Sequence, residues 1–233
     1  LQVEGLFLMA QLILMRHGQS MWNASERFTG WVDVPLTPHG IEQAIEAGKA
    51  FAEIDINEVH VSALSRARMT ALIALAQRTD GRTPIIMHND NPMEKMRTWS
   101  KPDPWPEEAI PVYVTTSLNE RMYGDLQCQY KEDVKAEHGD DLFLTWRRSL
   151  NTPPPNGESL SMCAQRTIPY LKTNIIPSLK QGKNVLVAAH GNSLRSIIMS
   201  LQKLDTTEVI DLEVPTGTPI LFDFDGTDFT RKH

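Results

Sequence analysis

At 233 residues, 41% hydrophobic and 22% charged, the chain can bury a full core without disulfide or metal staples. Its 29 acidic residues outweigh 23 basic ones for a net charge of −6, which weighs against a general nucleic-acid binder. Two cysteines, Cys128 and Cys163, stand in no CxxC or His/Cys spacing, and no apolar run has membrane-spanning length; a disulfide scaffold, a zinc site and a membrane span drop out, and a reduced, cytoplasmic protein is expected.

Residues 1–10 lack the basic and apolar stretches of a signal peptide and read as an N-terminal extension, with Met9 as the natural start. Residues 11–233 read as a single domain. The apolar run 11–15 predicts a buried strand ending at Arg16-His17-Gly18. Thr37-Pro38 reads as a cap and first helical residue, with Ile41, Ala44, Ile45 and Gly48 on one face of the helix that follows. Residues 59–62 predict a second strand. Ser65 is expected to cap a helix over 66–78 whose stripe is Met69, Leu72, Ile73 and Ala76.

Residues 84–88 predict a third strand, and 89–111, rich in Pro, Trp and charge, a long inserted loop. Strand character returns at 112–115, and helices are expected over 131–138 and 140–148 before a break at Pro153-Pro154-Pro155-Asn156-Gly157. Ser159 is expected to cap a helix towards Lys180 that Pro169 and Pro177 bend or interrupt. A strand over 184–189 stops at His190-Gly191-Asn192, a helix runs from 193 to about 204, and 220–224 gives a last strand. The alternation implies an α/β three-layer sandwich, a mostly parallel central sheet flanked by helices. Such sheets bind ligands beyond the carboxyl ends of their strands, where Arg16, His17 and His190 all fall.

Those residues suggest phosphoryl chemistry. A neutral imidazole can attack phosphorus with one nitrogen while the other donates to a carbonyl, and arginine offers a fork to phosphate oxygens. Transfer needs mainly positioning and charge neutralisation, which Arg66 and His190 can supply without a metal. Asp223-Phe224-Asp225-Gly226-Thr227 matches the nucleophile motif of dehalogenase-type phosphatases, but no large domain follows it, and Asp225-Gly226 reads as a turn.

The ordered pieces carry a resemblance. Leu14-Met15-Arg16-His17-Gly18-Gln19-Ser20 leads to Trp22-Asn23 and to Arg27-Phe28-Thr29-Gly30-Trp31, with Asp33 behind. Ser62-Ala63-Leu64-Ser65-Arg66-Ala67, Leu118-Asn119-Glu120-Arg121-Met122-Tyr123-Gly124-Asp125-Leu126-Gln127, Trp146-Arg147-Arg148, Ala189-His190-Gly191-Asn192-Ser193-Leu194-Arg195 and Pro215-Thr216-Gly217 follow. The set resembles the phosphoglycerate mutase branch of the histidine phosphatase superfamily over nearly the whole chain. The resemblance implies interconversion of 3-phosphoglycerate and 2-phosphoglycerate through phosphohistidine at His17, primed by 2,3-bisphosphoglycerate, with no metal. It implies a phosphoglycerate mutase-like fold and small phosphorylated three-carbon acids as partners, and is compatible with a homo-oligomer (dimer or tetramer).

It further implies Glu120 as proton donor and acceptor, with Arg16, Arg66 and His190 on the transferring group. Asn23, Thr29, Gly30, Gly191 and Asn192 would line the phosphate pocket. Arg121, Tyr123, Lys131, Arg147 and Arg148 would hold the carboxylate and distal phosphate, although the two helical arginines and Lys131 taken singly read as solvated charges. Gln19 and Cys128 depart from the family pattern, which has glutamate and glycine there. The segment 81–111 is longer than usual and the stretch after Pro154 shorter. The chain also ends at His233 without the tail of many mutases, which keeps a histidine phosphatase acting on bisphosphoglycerate or another small phosphorylated metabolite as the alternative. For 89–111 the geometry of a parallel sheet favours a surface excursion, with a substitute lid as the second reading.

Overall fold

The computed structural model describes residues 9–89 and 92–232. Its strands are β1 (Ala10–Arg16), β2 (Ile56–Ser62), β3 (Thr83–Met87), β4 (Ala109–Thr115), β5 (Asn184–Ala189), β6 (Pro219–Phe224) and β7 (Phe229–Arg231). They form one sheet in the order β3-β4-β2-β5-β1-β6-β7. The first five pair in parallel, while β6 and β7 run antiparallel at one edge. β1 already includes Ala10, the last residue of the segment read as an extension; residues 1–8 lie outside the described residues.

Strand alternation sends neighbouring side chains into two cores. Leu12 and Leu14 of β1 join Val185 and Val187 of β5 on one face, against helices α7 (Leu160–Tyr170), α8 (Ile176–Lys180) and α9 (Gly191–Gln202). Ile13, Met15, Leu186 and Ala188 fill the other, against α2 (Pro38–Ala50) and α3 (Ser65–Leu75). A third cluster, Phe28, Leu126, Val134, Phe143 and Trp146, seats α5 (Lys131–His138) and α6 (Asp140–Arg148) beside the sheet rim. Short helices α1 (Met21–Ala24), α4 (Glu94–Trp99) and α10 (Thr206–Asp211) complete the chain.

Several local expectations are corrected. α2 buries Gly40, Ala44, Ala47 and Gly48, while Ile41 is exposed. α3 buries Arg66, Ala67, Thr70, Ala71, Ala74 and Leu75, leaving Met69 exposed. Close helix contact decides both: a Cβ on Gly48 would meet the Ala74 carbonyl oxygen at 2.3 Å. The apolar stripe expected on α3 therefore lies largely off its packed face. Ser65 is the first residue of α3 rather than its cap. Asp33 takes that part from outside, accepting from Ser65 N and Oγ at 2.7 Å each.

The helix after Ser159 divides as its prolines require. α7 carries Pro169 inside it, a π turn over Leu171–Ile175 follows, and α8 restarts with Pro177 in its first turn. Asp225-Gly226 is the turn between β6 and β7, a strand beyond the one read as last; Asp225 accepts from the N–H groups of Thr227 and Asp228. The segment 89–111 includes α4 and the start of β4, so it is more ordered than a loop.

Gly18 is required by backbone packing: a Cβ there would lie 2.2 Å from the Gly40 carbonyl oxygen, where α2 backs onto the His17 loop. Cys128, by contrast, sits at φ +74°, in the region that favours glycine. A left-handed non-glycine residue costs roughly 1–2 kcal/mol, partly offset by glycine's greater freedom when unfolded. Cys128→Gly should therefore raise stability by about 0.5–1 kcal/mol. A lowered urea midpoint would contradict the assigned strain.

Candidate active site

β1 and β5 lie side by side with Arg16 paired to Ala189, so the residues that follow them meet at one rim. The rings of His17 and His190 stand 4.9 Å apart between centroids. Both are buried, at 2% and 0% exposure. His17 Nδ1 lies 2.7 Å from the Gly18 carbonyl oxygen, which fixes it as the N–H and leaves Nε2 with the lone pair. Gly18 N in turn donates to Thr70 Oγ1 at 3.0 Å, tying this loop to α3.

His190 is set by a relay. The Ser62 hydroxyl donates to Asn119 Oδ1 at 2.9 Å and so accepts from His190 Nε2–H at 2.8 Å. That leaves His190 Nδ1, buried and without a partner, as the nitrogen available to a ligand.

Arg66, 1% exposed, donates to the carbonyls of Val32 and Gly30 at 3.0 and 2.8 Å. Burial lowers its pKa to about 10, so it stays cationic near neutrality. Arg16 donates to Val214 O at 2.8 Å. Asn23 Oδ1 takes both Ser20 N and Oγ, so its amide N–H groups are left to donate elsewhere. Glu120, nearly buried, accepts on Oε1 from Arg121 N, Asn192 N and Asn192 Nδ2 at 2.8, 3.2 and 3.0 Å. Oε2 remains as the oxygen free to exchange a proton.

These groups surround a cavity of about 150 Å³. Arg16, His17, Asn23, Thr29, Gly30, Arg66, Glu120, Tyr123, Lys131, Arg147, Arg148, Gly191 and Asn192 all line it. Seven lining residues are arginine or lysine and two are acidic, in a chain of net charge −6. Around it Arg16 Nε, Arg27 Nε, Arg66 Nε, Thr29 Oγ1 and His190 Nδ1 are buried with no protein partner. Leaving a buried polar group unpaired costs roughly 1–3 kcal/mol, so the four donors among them fit an oxyanion ligand.

The comparisons with known proteins agree with this chemistry. The histidine phosphatase superfamily (branch 1) model matches residues 12–90 and 105–233. A 2,3-bisphosphoglycerate-dependent phosphoglycerate mutase of Protochlamydia amoebophila is 47% identical over 226 residues, covering 96% of this chain and 99% of that protein. The chain belongs to the phosphoglycerate mutase branch of the histidine phosphatase superfamily. The Arabidopsis thaliana protein named 2,3-bisphosphoglycerate-dependent phosphoglycerate mutase 1 is 49% identical over 225 residues, 96% of this chain and 67% of its own. The alpha-ribazole phosphatase of Shigella flexneri shares the fold, with a TM-score of 0.72 at 22% identity over 95% of this chain and 94% of that one.

Two expected members of this mutase-branch site lie off the cavity lining. His190 touches His17 from behind the lining. Arg121 is fully buried: its Nη2 donates to the carbonyls of Trp146 and Arg147 at 3.0 and 3.2 Å, and its guanidinium lies 4.6 Å from the Tyr123 ring centre. Arg121 thus supports Tyr123 and the end of α6, while its Nε and Nη1 stay buried without a partner. Arg27, Phe28, Arg195 and Glu213 line the cavity without having been expected there. The first three stood inside the quoted motifs; Glu213 had no signal. No described residue of 92–111 lines it, so the lid reading of that segment finds no support among the described residues.

Burial, then Arg66 and Arg16, hold the His17 pKa well below 6.5, and burial with Arg66 does the same for His190. The folded mutase keeps both rings neutral where the unfolded chain takes up protons. Stability present above pH ~6.5 is therefore lost on acidification, by up to about 1.4 kcal/mol per pH unit per ring. Urea midpoints at about pH 7.5 and pH 5.5 should diverge more for the parent than for His17→Gln. Equal differences would show that His17 is not held neutral.

Proposed function

We propose that this chain interconverts 3-phosphoglycerate and 2-phosphoglycerate through phosphohistidine at His17, in the cytoplasm. The observation that carries it is the unprotonated His17 Nε2 set among the unpaired Nε–H donors of Arg16 and Arg66, beside His190. Those donors, with Arg27 and Thr29, fit a polyanion such as 2,3-bisphosphoglycerate, which when bound supplies the phosphoryl group that primes His17. Charge neutralisation by arginine leaves no step that needs a metal.

In the working cycle the substrate's free hydroxyl attacks the phosphorus of phospho-His17, forming a P–O bond as the N–P bond breaks. His17 Nε2 then takes the other phosphoryl group of the resulting bisphosphorylated acid, forming an N–P bond as that ester P–O bond breaks. Arg16, Arg66 and Asn23 neutralise and orient the transferring group's oxygens, and His190 Nδ1 shares it once protonated. Glu120 Oε2 gives its proton to the departing alcohol oxygen and takes one from the hydroxyl that attacks phosphohistidine next. Lys131, Arg147 and Arg148, from α5 and α6, hold the carboxylate end.

A coupled assay with and without 2,3-bisphosphoglycerate tests this directly. The expected product is 2-phosphoglycerate, formed faster with the primer, unaffected by chelators and inhibited by vanadate. Stoichiometric free phosphate in place of the isomer would instead identify a phosphatase.

A further inference from the structure

The segment that carries Glu213 is held beside the cavity by arginines that line it. Arg148 donates to Ile210 O at 3.1 Å, Arg195 to Leu212 O at 2.8 Å and Arg16 to Val214 O at 2.8 Å. Glu213 Oε1 lies between two of them, accepting from Arg148 Nη2 at 3.0 Å and standing 3.8 Å from Arg195 Nη2. Its side chain is 70% exposed and lines the cavity, while Arg195 is 13% exposed.

No packing demands an acid at this position. Its side chain is largely exposed, and its carboxyl group meets the guanidinium groups of Arg148 and Arg195. Arg148 pulls the Glu213 pKa below the ordinary carboxylate range, with smaller help from Arg195 and Arg16, so the group is anionic at working pH. Apart from Glu120, it is the one acid in a lining of seven cations. Any anion reaching Arg148 must compete with it or sit beside it. Repulsion from a fixed charge grows with the charge on the ligand, so the penalty rises from a singly to a doubly phosphorylated acid.

We propose that Glu213 is a specificity-determining residue, an internal anion that occupies Arg148 and Arg195 and disfavours the more highly charged ligands of the cavity. This rests on the reading of the cavity as the phosphoglycerate site. In that setting it would keep the bisphosphorylated primer from outcompeting the singly phosphorylated substrate.

Glu213→Gln removes the charge and keeps an oxygen for Arg148, and the exposed position spares the fold. Calorimetry with inorganic phosphate and with pyrophosphate reads the effect without turnover. Affinity should rise about threefold for phosphate and about tenfold for pyrophosphate, and both gains should shrink in high salt. Glu213→Asp, which keeps the charge, should leave the pyrophosphate-to-phosphate ratio within about twofold of the parent. Equal gains for the two anions, weaker binding of either, or a salt-insensitive change would overturn the inference. If the parent protein binds both anions as expected yet makes no 2-phosphoglycerate, the functional reading fails while the charge filter stands.

Discussion

His17→Ala should lower mutase turnover by at least about 10⁴-fold, the scale of losing a covalent nucleophile whose partners act with it as a unit. The expectation follows from geometry. His17 Nδ1 is committed to Gly18 O, its Nε2 carries the lone pair, and its neighbours include Arg16, Arg66 and His190. Without the ring, the arginines still bind anions but nothing accepts the phosphoryl group. The coupled assay measures the loss, and thermal melting shows that the variant is folded. Removing a ring that the fold holds neutral should cost little stability near neutrality. Turnover within about 10²-fold of the parent would remove His17 from the nucleophile's role.

Arg66→Ala and Arg147→Ala should separate the two ends of the cavity. Arg66 is fixed by two carbonyls with its Nε unpaired, a rigid donor aimed where charge develops. Its loss should cost about 10²–10³-fold in kcat, as for other pre-set transition-state donors. Arg147 lies in the last turn of α6, its guanidinium 5.3 Å from the Phe143 ring centre, and is proposed for the carboxylate end. Arg147→Ala should act mainly on KM, because binding there is the same in ground and transition states. Steady-state kinetics on both variants decide it. A similar fall in kcat for both would show that the two ends are wrongly divided. Because Arg66 also holds the carbonyls of Gly30 and Val32, Arg66→Lys serves as a control; it keeps the charge without the fork and should recover only part of kcat.

Much of this was legible because local pattern and tertiary demand agree. The run 185–189 is apolar throughout because β5 is buried on both faces between β1 and β2, and α5 and α6 begin and end where expected. Arg16, His17 and His190 could be placed together because parallel strands deliver their carboxyl ends to one rim. What failed did so for tertiary reasons. The packed face of α3 is chosen by the close approach of Gly48 to Ala74, which no periodicity within α3 reveals. Asp33, remote in sequence, caps α3, so the nearer Ser65 was the natural but mistaken choice. Glu213 became visible only once the carbonyls of 210–214 were seen to accept from the arginines of the cavity lining.

The most direct test of the central claim is to map the phosphoryl group. Brief incubation with 2,3-bisphosphoglycerate, base-stable quenching and peptide mass spectrometry should find one phosphate, labile to acid, on the peptide containing His17. It should be discharged by adding 3-phosphoglycerate. A phosphate on any other residue, or turnover with His17 never modified, would contradict the account.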